Sequence, residues 1–184
     1  DTDDNEITIT SINTYLAQAT SSYSSSKEDV TLRVYQTNAT GTSKTVDVDD
    51  VPGIEDVVKD EFYLVYMSGK DSVNDTLEVV DIFDVTIMED STVTKFTTST
   101  SKVVDRVTVD GTEYRSAAKA FYDDETLDEY DASLLTDMSY NVYLDQYGYA
   151  IGVDLFEGTL DYVFITRYDR GKSHISIKTA EAGA

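Results

Sequence analysis

Apolar residues recur at every second position along most of the chain, and this alternation restricts the fold more than any other feature. The clearest runs lie at 32–34, 63–67, 77–79, 107–109, 140–144 and 149–155. A period of two places successive side chains on opposite faces of a β-strand. Helical periodicity is limited to short candidates at 54–59, 116–122 and 131–137. The sequence therefore predicts an all-β fold, mainly strands with short helices.

Two parts of the chain repeat each other, which predicts two modules in series. DEFYLVYM at 60–67 matches DMSYNVYL at 137–144, and VDIFDVT at 80–86 matches VDLFEGT at 153–159. Each copy contains strands, a short helical segment and a hairpin, an order that suits a small OB-like barrel. We therefore predict two tandem β-barrel modules, at 1–80 and 81–158. Residues 159–184 either close the second module or begin a truncated third one.

The composition limits the partners that the chain can have. With 36 acidic and 14 basic residues, the formal net charge is −22, and long-range repulsion opposes nucleic acid and anionic membrane surfaces. Cysteine is absent, which excludes disulfides and thiolate metal sites. The longest apolar run, at 62–67, is far too short to span a bilayer. Because the sequence begins at Asp1, we expect a mature chain or an excised fragment.

The tip of the second hairpin, LDQYGY at 144–149, combines an acid with exposed aromatic candidates. Asp145 opens a predicted turn that Gly148 closes with a positive φ, so its carboxylate is expected to bind backbone amides, with a functional acid as the alternative. Tyr143, Tyr147 and Tyr149 crowd this hairpin and could stack on sugar rings. Tyr143 could instead pack on the neighbouring module, since it lies on the face opposite to the core residues.

Acidic clusters make calcium the one metal worth considering. The weak candidate ligands lie in two acidic runs, VDVDD at 46–50 and DDETLDEYD at 123–131, and are Asp47, Asp49, Asp50, Asp123 and Asp124. DTDDNE at 1–6 imitates the start of an EF-hand loop, but it lacks the required glycine and the final glutamate. We predict no other cofactor.

Catalytic signatures are missing from the sequence. His174 is the only histidine, and there is no G-x-S-x-G elbow, no H-E-x-x-H motif and no phosphate-binding glycine loop. A glycosidase needs only two carboxylates, so sequence alone leaves that class open. We expect a protein that is not an enzyme.

The segment RVTVDGTEY, followed by Y-x-V-Y-L-D-x-Y-G-Y-x-I-G-V, resembles part of the large surface proteins of Gram-positive gut bacteria that carry S-layer homology domains. The resemblance covers 107–156 and extends more loosely over 1–86, while the S-layer homology repeats themselves are absent. It implies an extracellular, wall-attached location and assigns no chemistry or site residues. We expect a non-enzymatic spacer, display or assembly module, with a glycan- or calcium-binding adhesion module as the alternative. The expected partners are neighbouring modules of the same chain and cell-wall or host glycans.

Overall fold

The computed structural model describes residues 10–35, 42–70, 77–99, 104–122, 138–156, 163–169 and 174–179, the last two ranges for their backbone alone. Within these ranges the chain forms β-strands and one short 3-10 helix, so the prediction of an all-β fold is confirmed. The described residues include no helix with the length and hydrophobicity needed to cross a membrane.

The first sheet contains five strands that are paired in the order β3-β2-β1-β4-β5, with every pair antiparallel. The strands are β1 (Thr10–Ala19), β2 (Asp29–Tyr35), β3 (Thr42–Asp47), β4 (Phe62–Lys70) and β5 (Glu78–Asp84). The end of β1 pairs with β2 while most of its length pairs with β4, so β1 links the two halves of the sheet.

The first sheet curls around its own core. Alternate residues of its strands point inward and bury a cluster that includes Ala17, Leu32, Val65 and Met67, each at 0 % exposure. The edge strands β3 and β5 face each other across a groove of about 580 Å³. The Lys44 ammonium bridges this groove by donating a 2.7 Å hydrogen bond to the Leu77 carbonyl. The result is a five-stranded barrel that stays partly open between β3 and β5.

The helix predicted at 54–59 is reduced to a 3-10 helix at Ile54–Asp56. Gly53 precedes it with a φ of 95°, and Val57 is already extended, so the chain has room for only one turn. Ile54 is fully buried in the core of the first sheet. This short helix therefore contributes to the core of the first barrel.

The second sheet contains six strands in the order β6-β10-β11-β9-β8-β7. They are β6 (Thr86–Ser91), β7 (Val93–Thr98), β8 (Val104–Val109), β9 (Thr112–Tyr122), β10 (Tyr140–Leu144) and β11 (Ala150–Leu155). The outermost strands β6 and β7 are separated only by Thr92, and Asp90 bends the chain just before it with a φ of 50°. They are two halves of one bent segment, so the sheet curls back on itself around a second core.

Strand for strand, the two sheets share one chain order. β1 corresponds to β6 with β7, β2 to β8, β3 to β9, β4 to β10 and β5 to β11. In the first barrel β3 and β5 do not pair with each other. Their counterparts in the second barrel, β9 and β11, pair in parallel and close that barrel. The sheets change at Val85, whereas the boundary predicted after residue 80 falls inside β5. The change of sheet does not by itself define the modules, so their limits stay a prediction.

One predicted helix is wrong, and another lies outside the described residues. Residues 116–122 belong to the strand β9, which pairs with β8 at its start and with β11 at its end. These pairings override the local helical preference of its alanines. Residues 131–137 are outside the described ranges. The final strands, β12 (Val163–Asp169) and β13 (His174–Thr179), form a two-stranded antiparallel ribbon.

Candidate functional site

The carboxylate of Asp145 holds the turn between β10 and β11. One of its oxygens accepts hydrogen bonds from the backbone amides of Tyr147 and Tyr149, both at 2.9 Å. The Asp145 amide donates to the Tyr149 carbonyl, and the Gly148 amide donates to the Asp145 carbonyl. Gly148 has a φ of 78°, as the turn requires. This geometry accounts for the acid without any chemistry.

The first group of candidate calcium ligands is likewise engaged in a turn. Asp47 ends β3, and its carboxylate accepts a 2.9 Å hydrogen bond from the Asp49 amide. Its carbonyl accepts from the amides of Asp50 and Val51. Across the described ranges no three or more acidic or histidine side chains lie where they could hold a metal ion. Asp123 and Asp124 lie outside the described residues, as does the segment 1–6.

An acidic groove of about 480 Å³ runs between the two barrels. Its carboxylates come from Asp60, Glu61, Asp84 and Glu89. Asn141 also lines it, with a side-chain oxygen that is buried and lacks a hydrogen-bond partner. Since these acids do not form a metal-binding group, one amide oxygen does not make a cation site.

The remaining catalytic candidate, His174, is the first residue of β13. Its backbone lies in register with Asp169 of β12. The structure describes only the backbone of this ribbon, so a catalytic role for the histidine stays without structural support.

A set of apolar and aromatic side chains, here called the junction cluster, joins the outer faces of the two barrels. Leu16 and Leu64 come from the first barrel, and Tyr143 and Ile151 come from the second. Aromatic pairs extend the contact, with ring centroids 4.6 Å apart for Phe62–Tyr143 and for Tyr35–Phe121. The members of the junction cluster are Leu16, Tyr35, Phe62, Leu64, Phe121, Tyr143 and Ile151.

Gly152 sets how closely the barrels approach. A Cβ added at this position would lie 2.6 Å from Leu16 Cδ2 and 3.2 Å from Tyr143 Cδ2. The first distance is shorter than real Cβ contacts and the second is tight, so a side chain at position 152 would force Leu16 of β1 to shift away from β11.

Tyr143 is buried in the junction cluster and is only 2 % exposed. Burial raises the pKa of its phenol, the negative charge of Asp154 and the proximity of Tyr35 add to the increase, and a hydrogen bond with Asn141 opposes it. A ring buried to this degree cannot stack on a sugar, so Tyr143 is removed from the candidate glycan contacts. The alternative prediction, that Tyr143 packs between neighbouring modules, describes its position.

The other two candidate glycan contacts belong to an exposed surface, here called the aromatic face, made of Tyr66, Phe83, Tyr147 and Tyr149. Tyr147 is 73 % exposed and Tyr149 is 40 % exposed, with ring centroids 6.4 Å apart. Tyr66 contacts Phe83 of the first barrel, with 4.7 Å between ring centroids. The Gln146 side-chain amide donates a hydrogen bond to the Tyr66 hydroxyl, which connects the two barrels at the surface.

The electrostatic surroundings of Tyr66 include groups from both barrels. Partial burial raises the pKa of Tyr66, and Tyr147, Asp81 and Asp145 raise it further in that order. The hydrogen bond from Gln146 lowers it. The hairpin tip of the second barrel therefore lies over the outer face of β4 and β5.

Sequence reasoning missed the first-barrel half of both surfaces, although two signals were present. The run 62–67 is apolar without interruption, which is typical of a strand that is buried on both faces. Phe62 and Leu64 of that run occupy the outer face and enter the junction cluster. Phe83 stands in the repeated V-D-[IL]-F motif, where it served only to align the repeats.

Comparison with known proteins yields no match, so the candidate site rests on the geometry described above. No family model matches the chain, and neither a curated protein nor a solved structure does so.

Proposed function

We propose that the chain is a non-enzymatic extracellular module of a bacterial cell-surface or S-layer-associated protein, acting as a spacer, display or assembly unit. The observation that carries this proposal is the junction cluster. It joins two small barrels through buried side chains, so the tandem behaves as one stiff unit. Stiffness is what a spacer needs in order to hold a neighbouring module away from a surface.

The composition of the junction supports this stiffness. Domains within one chain usually move relative to each other unless their interface is large and hydrophobic. Here Leu16, Leu64, Tyr143 and Ile151 are each at most 2 % exposed. The chain passes from the first sheet to the second through Val85 alone, which leaves no flexible linker.

The charge of the chain fits an exposed module that does not self-associate. A formal net charge of −22 repels other copies and keeps the surface hydrated. The carboxylates of Asp145 and Asp47 both accept backbone hydrogen bonds that hold turns, which gives each of these acids a structural role.

NMR relaxation of the backbone amides tests the stiffness directly. We expect the amides of both barrels to report one common rotational diffusion tensor. The variant Tyr143→Ala should give two separate tensors because the barrels lose their shared aromatic contact. Independent tumbling in the unmodified chain would contradict the proposal.

The location is tested on intact cells of the organism that makes the protein. An antibody against the folded chain should label these cells without permeabilisation, and external protease should remove the signal. Labelling that requires lysis would contradict a surface location.

A further inference from the structure

The exposed aromatic side chains of this protein are gathered in one place. Tyr147 is 73 % exposed, Tyr149 40 % and Phe83 39 %, and no other aromatic residue whose burial is described is exposed to this degree. Phe83 and Tyr147 lie beside Tyr66, and Tyr149 extends the group through its contact with Tyr147. Single exposed apolar residues are common on protein surfaces, but a contiguous group marks an interaction site.

The aromatic face is held rigidly. Asp145 fixes the backbone of the hairpin tip through the amides of Tyr147 and Tyr149. Gln146 ties that tip to Tyr66 of the first barrel. Tyrosine rings on a fixed backbone lose little conformational entropy when a ligand covers them. The face is therefore prepared for contact before any partner arrives.

The chemistry of the face favours a sugar. A pyranose ring presents C–H groups on its flat side, which pack on an aromatic ring, and hydroxyl groups at its edge. Polar groups lie beside the rings, namely the Asp81 carboxylate, which opposes Tyr66 across the strands, and the phenol hydroxyls. Because the chain carries a formal net charge of −22, an anionic polymer would be repelled, whereas a neutral one would not.

We propose that the aromatic face binds a neutral polysaccharide chain across the two barrels. Tyr66 and Phe83 supply the first-barrel half, and Tyr147 and Tyr149 supply the second-barrel half. The site depends on the fixed relation between the barrels, so the junction cluster positions its two halves. This inference goes beyond a spacer role and shares with it only the fixed relation between the barrels.

Affinity electrophoresis of the folded chain tests this binding. The gels contain soluble xyloglucan, galactomannan, mixed-linkage β-glucan or dextran, with polygalacturonate as the anionic comparison. We expect at least one neutral polysaccharide to retard the chain and polygalacturonate to have no effect. Tyr147→Ala and Phe83→Ala should each weaken the binding at least tenfold, measured by calorimetry with the polysaccharide that binds.

Met138→Ala is the matched control. Met138 is 49 % exposed and lies at the opposite end of the β10–β11 hairpin, so its removal should leave binding unchanged. Circular dichroism of each variant establishes that it is folded. Failure of every neutral polysaccharide to bind, or binding that survives both Tyr147→Ala and Phe83→Ala, would overturn the inference. So would a dimer in sedimentation velocity that Tyr147→Ala converts to monomer, because the face would then be a contact between two copies.

Discussion

Tyr66 and Tyr143 hold equivalent positions in the two repeats, yet the fold gives them different surroundings. The residues before them behave alike, since Val65 and Val142 are both fully buried in their own barrels. Tyr143 is 2 % exposed and packs on Phe62 of the other barrel. Tyr66 is only partly buried and lies in the aromatic face. The repeat thus determines the inner face of each barrel, while the neighbouring barrel determines what happens on the outer face.

The largest difference should appear when each tyrosine is truncated. Tyr143→Ala removes a fully packed ring and should lower the free energy of unfolding by about 3–5 kcal/mol. Tyr66→Ala removes a partly buried ring with one close aromatic contact, so it should cost about 1 kcal/mol. Equilibrium urea unfolding measures both values.

The shape of these unfolding curves carries further information. If the junction cluster couples the barrels, Tyr143→Ala should split one transition into two, while Tyr66→Ala should keep a single transition. Equal costs for the two variants would show that the two outer faces are equivalent, and the comparison would fail.

A second, smaller contrast involves two glycines that each face a leucine methyl. A Cβ at Gly152 would lie 2.6 Å from Leu16 Cδ2, and a Cβ at Gly69 would lie 2.7 Å from Leu77 Cδ2. Leu16 is 1 % exposed and cannot move aside, so Gly152→Ala should cost about 1–3 kcal/mol. Leu77 is only partly buried, so it can rotate away, and Gly69→Ala should cost less.

A double-mutant cycle checks the cause of the Gly152 effect. In a Leu16→Ala background the Cβ at position 152 has space, so Gly152→Ala should cost clearly less there than in the unmodified chain. A cost that does not depend on residue 16 would mean that the strain arises elsewhere in β11.

The sequence predicted the inner architecture well because that part depends on local pattern. The alternation at 63–67, 107–109 and 140–144 coincides with strands, and Asp145 and Gly148 form the predicted turn. The short helix at Ile54–Asp56 was also placed correctly, although it is shorter than predicted.

The remaining elements depend on tertiary contacts that no local pattern encodes. β1 was not predicted from alternation, since it carries Leu16 on its outer face between Tyr15 and Ala17 on its inner face. β9 resembled a helix because of its alanines. The contact of Tyr66 with Phe83, and that of Tyr66 with Gln146 at the hairpin tip, join residues that are distant in sequence. Half of the aromatic face was therefore found from the sequence, namely Tyr147 and Tyr149.

Alkaline pH should lower the free energy of unfolding through Tyr143, by a smaller amount than the truncations described above. Burial raises the pKa of Tyr143 in the folded chain above its ordinary value of 10.0. Below pH 10 the phenol is neutral in both states, so its contribution to stability is complete. Above pH 10 the unfolded chain loses the proton first, and the free energy of unfolding falls until pH passes the folded pKa, by at most about 1.4 kcal/mol per pH unit.

The variant Tyr143→Phe lacks this proton. Its free energy of unfolding should therefore decline less steeply above pH 10 than that of the unmodified chain, as measured by urea unfolding at pH 8, 10 and 11. The other tyrosines and the general repulsion of the acidic chain act on both proteins and cancel in the difference. Parallel pH curves would show that the Tyr143 phenol is accessible to solvent.

Calcium should produce the smallest change in stability, and we expect it to bind neither barrel specifically. Asp47, Asp49 and Asp50 follow the first-barrel strand β3, and Asp123 and Asp124 follow β9, the equivalent strand of the second barrel. Asp47 is already occupied by the Asp49 amide. We therefore expect calcium and magnesium at matched ionic strength to raise the melting temperature by equal small amounts, through screening of the acidic surface.

A specific calcium site would give a much larger rise in melting temperature in the same experiment. At about 100 times its Kd, bound calcium adds about 2.7 kcal/mol, which raises the melting temperature of a chain of this length by about 5–11 °C. EDTA would reverse that rise, and magnesium would not reproduce it. If the rise persisted in Asp47→Asn and disappeared in Asp123→Asn, the site would belong to the second barrel alone. The segments that follow β3 and β9 would then differ in chemistry as Tyr66 and Tyr143 differ in burial, because residues outside the inner core are free to diverge once the repeat has fixed that core.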